Sequence, residues 1–421
     1  MRVKLKQVIT DFIVPMRDKP KVFGGNIPWC RIEDVDGKYL SESLSNQNVS
    51  TETIKEMNLR VYPINTLLFT CSASIGTTAI TKKPLCTNQT FIGLVGSNKI
   101  DIEYLYYYLN KVGSMLQRAA SITTIPYLSR RFFEELVIDI PSTLSIQNNI
   151  ANTLSLLDAK IELNNKINQE LEAMTKTLYN YWFVQFDFPN EQGKPYKSSG
   201  GKMVYNKELK RVIPERWKTE RITECCRIVD CLHSKKPDYN FEDERYYLLQ
   251  LENLRDDGLI DLSNRYFVSK NDYEKWTSRI EVTTNDVVIT NAGRVGATAQ
   301  IPNKLVSGIG RNITAIRPLS ISPTYFFMTF DGIDMKRQIA WNTDQGAFFT
   351  SLNVKGIKKL FVVRPERLIE TKFENIVTPI RNKRELLQSQ NQQLTDLRDW
   401  LLPMLMNEQI TVKETELEEK E

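Results

Sequence analysis

The sequence predicts an α+β protein with two β-rich globules, each followed by one long helix, and with the two helices packed together as a coiled coil. Two gapless helical patterns occupy residues 141–185 and 366–406. The segments before them, residues 1–140 and 213–365, share one order of strand-like runs and turns. We call these segments the first module and the second module.

The first long helix is expected over residues 141–185, where Pro141 opens a run with no further proline or glycine until Pro189. Its apolar residues recur at spacings of three, four or multiples of seven, which places them on one face of an α-helix. About 35 residues at 1.5 Å each make a rod about 50 Å long. That length exceeds an ordinary globular helix.

The second long helix is expected over residues 366–406. Pro379 either kinks this helix or marks its start, because proline lacks the backbone donor and clashes with the preceding turn. The apolar residues of its stripe fall seven apart, at Phe373, Ile380, Leu387, Leu394 and Leu401.

We expect the two helices to bury their apolar stripes against each other, since neither is apolar all round as a buried core helix would be. Two unrelated core helices are the alternative. Amides interrupt both stripes, at Asn164 and Asn168 and at Gln390 and Asn391, and such residues fix register at a cost in stability. The residues predicted to bind a partner along the helices are Leu154, Leu157, Ile161, Leu171, Leu394, Leu397 and Leu401.

Composition narrows the possible functions of the 421-residue chain. Its net charge of +5 permits nucleic acid as a ligand without requiring it. The single histidine, His233, excludes any site that needs two imidazoles and disfavours a Ser-His-Asp triad. Six cysteines without a Cys-x-x-Cys pair fit reduced cytosolic thiols. The chain shows neither a signal-peptide pattern nor an apolar run of about 18 residues, so we expect a cytoplasmic protein that does not associate with a membrane.

The second module repeats the first at an offset of 220 residues. The run LLFTCSASIGTTAI (67–80) overlays VVITNAGRVGATAQI (287–301), which pairs Thr70 with Thr290 and Gly76 with Gly296. We predict a hairpin near Gly76 and, after it, a helix over residues 100–119 that Asp101 caps and Gly113 can break. A period this long indicates a duplicated domain rather than a solenoid.

Two further segments complete the predicted organisation. Residues 186–212 are dense in glycine, proline, serine and lysine, which predicts a linker with one hairpin. Residues 407–421 form an acidic tail.

The sequence lacks the motifs of nucleotide and methyl-transfer chemistry. It contains no Gly-x-x-x-x-Gly-Lys-Ser/Thr loop, no Gly-x-Gly-x-x-Gly after a strand, and no Asp/Asn-Pro-Pro-Tyr string. We therefore expect no catalytic residue, no metal and no cofactor in this chain.

Polar side chains in the loops of both modules are candidates for DNA contacts, because guanidinium and amide groups suit base edges in a major groove. Solvated surface is the alternative for each of them. Those of the first module are Ser72, Ser74, Lys82, Lys83, Thr123, Thr124, Tyr127 and Arg130. Those of the second module are Asn291, Arg294, Arg311, Asn312, Lys336, Arg337 and Gln345, with Gln338 and Asn342 beside them.

With this repeat, the chain resembles the specificity subunit of type I restriction-modification enzymes over nearly its whole length. The strings that carry the resemblance are IPWCRIEDV (27–35), IPSTLSIQNNIANTLSLLDAKIELNNKINQELE (140–172), YWFVQFDFP (181–189), GKPYKSSGGKMVYN (193–206), IPERW (213–217) and LRDWLLPMLMN (397–407).

The resemblance implies two target recognition domains joined by an antiparallel coiled coil with pseudo-two-fold symmetry, each reading half of a bipartite site in double-stranded DNA. It also implies that catalysis belongs to two modification subunits, which use S-adenosylmethionine, and to restriction subunits, which use ATP and Mg²⁺. The modules differ in most loop residues, so we expect an asymmetric site. The helices are expected to set the spacing between half-sites.

The turn SASIGTT (72–78) departs from the family pattern, with one glycine where NAGRVG (291–296) has two, and this leaves its geometry open. A self-sufficient methyltransferase or nuclease with its own specificity region is one functional alternative, and it would modify or cut DNA alone. A coiled-coil adaptor without a DNA role is the other. It would show no salt-dependent DNA binding even with the modification partner present.

Overall fold

The computed structural model describes residues 1–15, 19–72, 74–120, 127–330, 332–345, 350–407 and 409–410, with the backbone alone for 114–120 and 345. Its contacts divide the chain into two compact units, one of Met1–Ile161 with Gln393–Glu421 and one of Glu162–Gln392. The first module lies in the first unit and the second module in the second. The six-segment division by sequence, with boundaries at 140, 185, 212, 365 and 406, stays a prediction.

The first module contains two sheets, whose orders are β2-β9-β6-β7-β4 and β5-β3-β8, and a separate pair, β1 with β10. The strands are β1 (Arg2–Lys4), β2 (Ile9–Ile13), β3 (Ile27–Cys30), β4 (Tyr39–Leu40), β5 (Asn48–Val49), β6 (Thr66–Thr70), β7 (Thr78–Thr81), β8 (Cys86–Thr87), β9 (Phe91–Gly96) and β10 (Val137–Asp139). Its helices are α1 (Thr51–Glu56), α2 (Ile102–Ala120) and α3 (Arg130–Glu135).

The central strand β6 is buried on both faces, because its side chains alternate between two apolar clusters. Leu67 and Phe69 pack in one cluster with Phe133, and Leu68 packs in the other with Tyr62. Each of these side chains contributes about 1.5–3 kcal/mol relative to an exposed position. The hairpin predicted near Gly76 is confirmed as β6 and β7, paired antiparallel.

Helix α2 begins after Asp101, whose Oδ1 accepts the backbone N–H of Tyr104 at 2.7 Å, so the predicted cap is confirmed. The predicted break at Gly113 is wrong, since α2 continues through it. Gly113 lies at ordinary van der Waals distance from the β6–β7 turn, since a methyl group added to Gly76 would meet the Gly113 carbonyl oxygen at 3.6 Å.

The first long helix, α4 (Leu144–Tyr179), continues as one π-helical segment over Asn180–Val184. In the first unit α4 is attached to α2 through Glu103, which accepts hydrogen bonds from Lys38 Nζ at 2.6 Å and Ser155 Oγ at 2.8 Å. Burial raises the pKa of Glu103, but hydrogen bonds from Lys38, Tyr39 and Ser155 outweigh it and hold this pKa below its usual value.

The predicted linker begins with a short buried stretch and continues into a hairpin. Its hairpin is present as β11 (Met203–Asn206) and β12 (Arg211–Pro214). Phe186 and Phe188 are buried, and the Phe188 ring stacks on Trp217 with ring centroids 4.8 Å apart. Residues 189–212 are half-buried or exposed, so burial in this region is confined to its first three residues.

The second module contains sheets of order β14-β20-β17-β18 and β16-β15-β19, and the pairs β13 with β23 and β21 with β22. Its strands are β13 (Lys218–Arg221), β14 (Cys226–Asp230), β15 (Tyr247–Leu249), β16 (Tyr266–Phe267), β17 (Val287–Thr290), β18 (Thr298–Gln300), β19 (Gly308–Ile309), β20 (Ile313–Pro318), β21 (Asp344–Gln345), β22 (Thr350–Ser351) and β23 (Phe361–Arg364). Its helices are α5 (Ile222–Cys225), α6 (Lys270–Thr277), α7 (Pro323–Thr329), α8 (Ile333–Trp341) and α9 (Val354–Ile357).

The repeat extends to the pairing of strands. β3 runs parallel to β8 as β15 runs parallel to β19, and β6 lies between β7 and β9 as β17 lies between β18 and β20. Buried Asp34 and Asn253 occupy equivalent turns and accept the backbone N–H of Arg31 and of Gln250, at 2.6 and 2.7 Å. These features confirm the predicted α+β class and the duplicated module.

The second long helix, α10 (Arg367–Met406), contains Pro379 in its interior, so the proline does not mark its start. In the second unit α4 and α10 are antiparallel, because Asn164 bonds Asn391 at 2.9 Å while Glu172, further along α4, bonds Arg384 at 2.9 Å. Asn164 is fully buried. In the first unit Asp158 bonds Arg398 at 2.8 Å.

No helix in the described ranges has both the length and the apolar character that crossing a bilayer would require.

Candidate nucleic-acid interface

The turn after β17 is organised by the buried Thr290 hydroxyl. Its Oγ1 donates to the Arg294 carbonyl oxygen and accepts the Ala297 N–H at 3.0 Å. The Thr290 carbonyl accepts the N–H of Gly296 at 3.0 Å, and Gly296 has a φ of +81°, where a side chain would be strained. Residues 291–296 form this loop at one end of the sheet, and we call it the second turn.

The corresponding first turn, residues 71–76, follows β6 and has the same frame. Thr70 Oγ1 donates to the Ser74 carbonyl at 2.5 Å and accepts the Thr77 N–H at 2.9 Å, and Gly76 N–H donates to the Thr70 carbonyl at 3.2 Å. Gly76 has a φ of +102°. The two turns therefore share these threonine and glycine hydrogen bonds, while the counterpart of Gly293, which has a φ of +79°, lies outside the described residues.

A later segment of each module supports its turn. In the first module Ser72 pairs with Tyr127, and Leu128 N–H donates to the Cys71 carbonyl at 2.9 Å. In the second module Ala292 pairs with Ser351, and Leu352 N–H donates to the Asn291 carbonyl at 2.8 Å. Of the predicted contacts Ser72 and Tyr127 thus lie together, while Thr123 and Thr124 lie outside the described residues.

The predicted cations of the first module each have a neighbour of their own. Lys82 Nζ lies 3.7 Å from the centre of the Tyr39 ring, and Lys83 Nζ lies 3.0 Å from a Glu42 carboxylate oxygen. Arg130 Nε donates to Glu134 at 2.7 Å along α3. Both carboxylate pairs lie at the surface, where such pairs contribute about 0–1 kcal/mol and exchange readily for a phosphate.

A cavity of about 700 Å³ lies beside the second turn, and Arg294 and Lys336 both line it. The Arg294 guanidinium donates to the Leu254 carbonyl at 2.6 Å and to the Asp256 carboxylate. The Asp256 side chain is 95% exposed, so this ion pair is weak and its arginine can turn to another acceptor. The cavity has an apolar floor that includes Val295 and Phe330.

Asn291 and Asn312 are neighbours, since the N–H of Asn291 donates to the Asn312 carbonyl at 2.8 Å. Asn312 is exposed and has a φ of +64°. The Asn291 amide is buried instead, and its Nδ2 donates to Asp230 Oδ1 at 3.2 Å. Asn291 is therefore part of the interior of the second module, and a base contact through its amide would require it to move.

The other predicted residues of the second module fall into two groups. Arg311, Lys336 and Arg337 are exposed at the surface, and Gln345 lies in β21. Gln338 and Asn342 make hydrogen bonds within the module: the Gln338 amide donates to and accepts from the Phe361 backbone at 3.0 and 2.7 Å. Asn342 Nδ2 donates to the Gln338 carbonyl at 2.8 Å.

The predicted partner-binding stripe is largely internal. Leu154 is fully buried in the apolar cluster of the first unit, and Leu401 packs against that cluster, so neither offers a surface to another protein. Leu157, Ile161, Leu171 and Leu394 are half-buried, and Leu397 is 43% exposed. Other apolar residues of α4 are exposed: Leu144 and Ile146 in its first turn, and Leu156, Leu163 and Met174 further along one face.

Sequence reasoning also missed the role of Thr70 and Thr290. Their pairing in the internal alignment was the available signal, since a buried threonine at the end of a strand commonly satisfies turn backbone groups. A cluster of Asp230, Cys231 and His233 beside Asn291 was missed as well, although the string Asp-Cys-Leu-His is visible in the sequence.

Comparisons with known proteins find similarity to the family that the sequence resembles. The family model described as type I restriction modification DNA specificity domain matches residues 14–173. The type I restriction enzyme MjaIX specificity subunit of Methanocaldococcus jannaschii is 27% identical over 403 residues, covering 93% of this chain and 88% of that protein. The EcoprrI specificity subunit of Escherichia coli is 29% identical over 170 residues, covering 38% of this chain and 41% of its own length.

One solved structure is similar over almost the entire chain. The crystal structure of a type I restriction-modification S subunit from M. genitalium covers 99% of this chain and 96% of its own, with a TM-score of 0.59 and 16% sequence identity. At that identity the likeness concerns the fold.

Proposed function

We infer that this chain, which belongs to the family of type I restriction-modification specificity subunits, selects the DNA sequence on which a type I restriction-modification complex acts. It is the non-catalytic subunit, and methylation and cleavage belong to partner chains. The observation that carries the proposal is the duplicated turn: one backbone frame, held by Thr70 and by Thr290, presents different side chains in the two modules.

A bipartite, asymmetric DNA site follows from this duplication. Each module supplies one complete turn with its own supporting segment, so each can read one half-site. The residues at equivalent positions differ, with Ser74 in the first turn and Arg294 in the second. Arginine suits guanine through two parallel hydrogen bonds, whereas serine accepts more than one base.

The proposed partners are double-stranded DNA, two modification subunits and restriction subunits, in the cytoplasm. S-adenosylmethionine, ATP and Mg²⁺ would be bound by those subunits. The exposed apolar residues Leu156, Leu163 and Met174 of α4 support a protein partner on the helices, because such residues are costly to leave in water.

Arg294 provides the test. With the modification subunit present, Arg294→Ala is expected to weaken DNA binding by about 1–3 kcal/mol and to relax one base pair of the methylated motif. Asp256→Asn is expected to strengthen binding, because it removes the carboxylate that competes for the guanidinium. The measurements are binding at two salt concentrations and the sequence context of methylated adenines.

Arg255→Ala is the matched control, since Arg255 lines the same cavity but donates two hydrogen bonds to Asp257, each at 3.1 Å. It removes the same charge and should leave the motif unchanged. An equal loss of affinity on every DNA sequence would make Arg294 a phosphate contact. Unchanged affinity and motif in Arg294→Ala would remove this turn from the DNA interface.

A further inference from the structure

Asp230, Cys231 and His233 bring three metal-ligating atoms together at the end of β14. One carboxylate oxygen, the thiol sulfur and one imidazole nitrogen lie within 4.8 Å of one another. Asp230 Oδ2 lies 2.7 Å from His233 Nε2. Cys231 is 2% exposed, whereas the His233 side chain is 67% exposed, so the cluster has a buried side and a side open to solvent.

The carboxylate of Asp230 is fixed by the second module rather than free to rotate. Its Oδ1 accepts hydrogen bonds from the backbone N–H of Cys231 at 3.0 Å, from Thr314 Oγ1 at 3.0 Å and from Asn291 Nδ2 at 3.2 Å. These contacts leave Oδ2 as the oxygen that faces the imidazole.

Asn291 adds an independent observation. Asn291 is 9% exposed, and its side-chain Oδ1 is buried with no hydrogen-bond partner among the described residues. A buried amide oxygen without a partner costs about 1–3 kcal/mol, so such an atom in a native fold calls for a ligand, a water or an ion. This orphaned atom belongs to the same amide that holds Asp230.

The polar cluster belongs to the second module alone. By strand register Cys71 occupies the position of Asn291, and Ile92 occupies that of Thr314. The first module thus fills the equivalent space with a thiol and an aliphatic side chain. The duplicated fold does not need the cluster, which suggests that it has a role of its own.

We propose that Asp230, Cys231 and His233 bind a borderline-soft divalent transition-metal ion such as Zn²⁺, with the Asn291 side-chain oxygen or a water as the fourth ligand. Carboxylate, thiolate and imidazole are the protein ligands that Zn²⁺ takes in tetrahedral sites. In a tetrahedral site with bonds of about 2.0–2.3 Å, the ligand atoms lie about 3.3–3.8 Å apart. The Asp230–His233 pair at 2.7 Å therefore has to open slightly while atoms near the 4.8 Å limit approach each other, and the exposed imidazole can supply this movement.

Binding exchanges protons for the ion. Burial and the Asp230 carboxylate raise the pKa of the Cys231 thiol, so this thiol carries a proton when the ion is absent. The ion displaces that proton to solvent. The thiolate and the carboxylate together neutralise the divalent charge of the ion.

The single histidine gives a direct experiment on the full chain prepared without a histidine tag. With histidine labelled for NMR, the imidazole signals of His233 are the only ones present, and one equivalent of Zn²⁺ is expected to shift them to saturation. Cys231→Ala and Asp230→Asn should weaken this binding by about tenfold or more. Cys71→Ala, which removes a buried thiol elsewhere, should leave it unchanged.

Cobalt reports on the sulfur separately. Co²⁺ added to the chain should give a near-ultraviolet thiolate charge-transfer band that is lost in Cys231→Ala and in His233→Gln. His233→Gln changes an exposed side chain and leaves the core intact. The band should survive in the Cys225→Ala, Cys226→Ala double variant. In the unaltered chain these two sulfur atoms lie 3.7 Å apart, in another part of the second module.

Two outcomes would overturn the proposal. The first is a set of His233 signals that stays in place with Zn²⁺ in excess, which would make the cluster a hydrogen-bonded Asp–His pair. The second is Zn²⁺ binding of equal strength in Cys231→Ala, His233→Gln and the unaltered chain, which would assign the ion to another part of the surface.

Discussion

The two modules share a backbone frame and differ in what surrounds it. Thr70 and Thr290 make equivalent hydrogen bonds to the residues four and seven positions later, and Gly76 and Gly296 take the same left-handed conformation. Both turns share a buried hydroxyl and a glycine with positive φ, and Gly293 of the second turn has a further positive φ at a position whose counterpart lies outside the described residues. The turns therefore share these hydrogen bonds and differ in the side chains around them.

The difference between the turns lies in charge and in polarity. Arg294 of the second turn is replaced by Ser74 in the first, and the buried Asn291 is replaced by Cys71. An arginine can hold one guanine through two hydrogen bonds, whereas a serine at the equivalent position accepts more than one base. The comparison predicts that the halves of the DNA site are read by different chemistry.

The largest expected effect comes from exchanging a module. Replacing residues 213–365 with the corresponding segment of a relative should change one half of the methylated motif and leave the other half intact, because each turn and its support lie within one module. Sequencing of methylated adenines in cells that also contain the modification subunit measures this. A change in both halves would show that the modules do not read DNA independently.

A smaller effect is expected from removing one hydroxyl. Thr290→Val keeps the shape of the side chain but leaves the Ala297 N–H and the Arg294 carbonyl without their partner, which costs about 1–3 kcal/mol. The second turn should loosen, and methylation should become less selective for the second half of the DNA motif. Thr70→Val is the matched change in the first turn and should relax the other half-site.

Both threonine variants need a stability measurement, since a general loss of folding would also lower methylation. Thermal unfolding of the full chain separates the cases. A small decrease in the unfolding temperature, together with lost selectivity for one half of the motif, supports the shared frame. If both variants changed the reading of the same half-site, the two turns would not have equivalent roles in DNA recognition.

Sequence reasoning found the parts of this structure that depend on local pattern. The long helices follow from apolar periodicity, the cap at Asp101 follows from its position before a helical run, and the hairpin at Gly76 follows from β-branched residues around a glycine. Each of these features is decided by residues within one turn or one strand pair.

The rest depends on contacts between distant parts of the chain. Gly113 weakens the helical propensity of its segment, but α2 continues through it, and Leu105 and Leu109 of this helix pack in the core of the first module. Spacing places Leu154 on one stripe of α4, but it does not say that the core of the first module covers this residue. The stacking of Phe188 on Trp217 likewise joins residues that lie far apart in the sequence.

The modules also differ in how they hold their long helices. In the first, the Glu103 carboxylate joins Lys38 to Ser155 of α4. In the second, Arg381 of α10 donates to the Ile301 carbonyl at 2.8 Å and to the Asn285 side chain at 3.1 Å. A carboxylate titrates in mild acid, whereas the Arg381 guanidinium, which also pairs with the Glu385 carboxylate at 2.6 Å, keeps its charge.

This contrast gives the smallest predicted effect, a selective response of the first module to acid. The folded pKa of Glu103 lies below its usual value of 4.5, so the carboxylate stabilises the fold fully above that value and loses its contribution as the pH falls through the lowered pKa. Hydrogen exchange of α2, corrected for intrinsic rates, should speed up on acidification below 4.5 while β20 of the second module changes less. Glu103→Gln should reduce the protection of α2 at pH 6 by less than about tenfold and remove its extra sensitivity to acid, because the amide cannot titrate. If α2 in Glu103→Gln kept the same response to acid, another group would be responsible, and the attachment of α4 to the first module would not depend on this carboxylate.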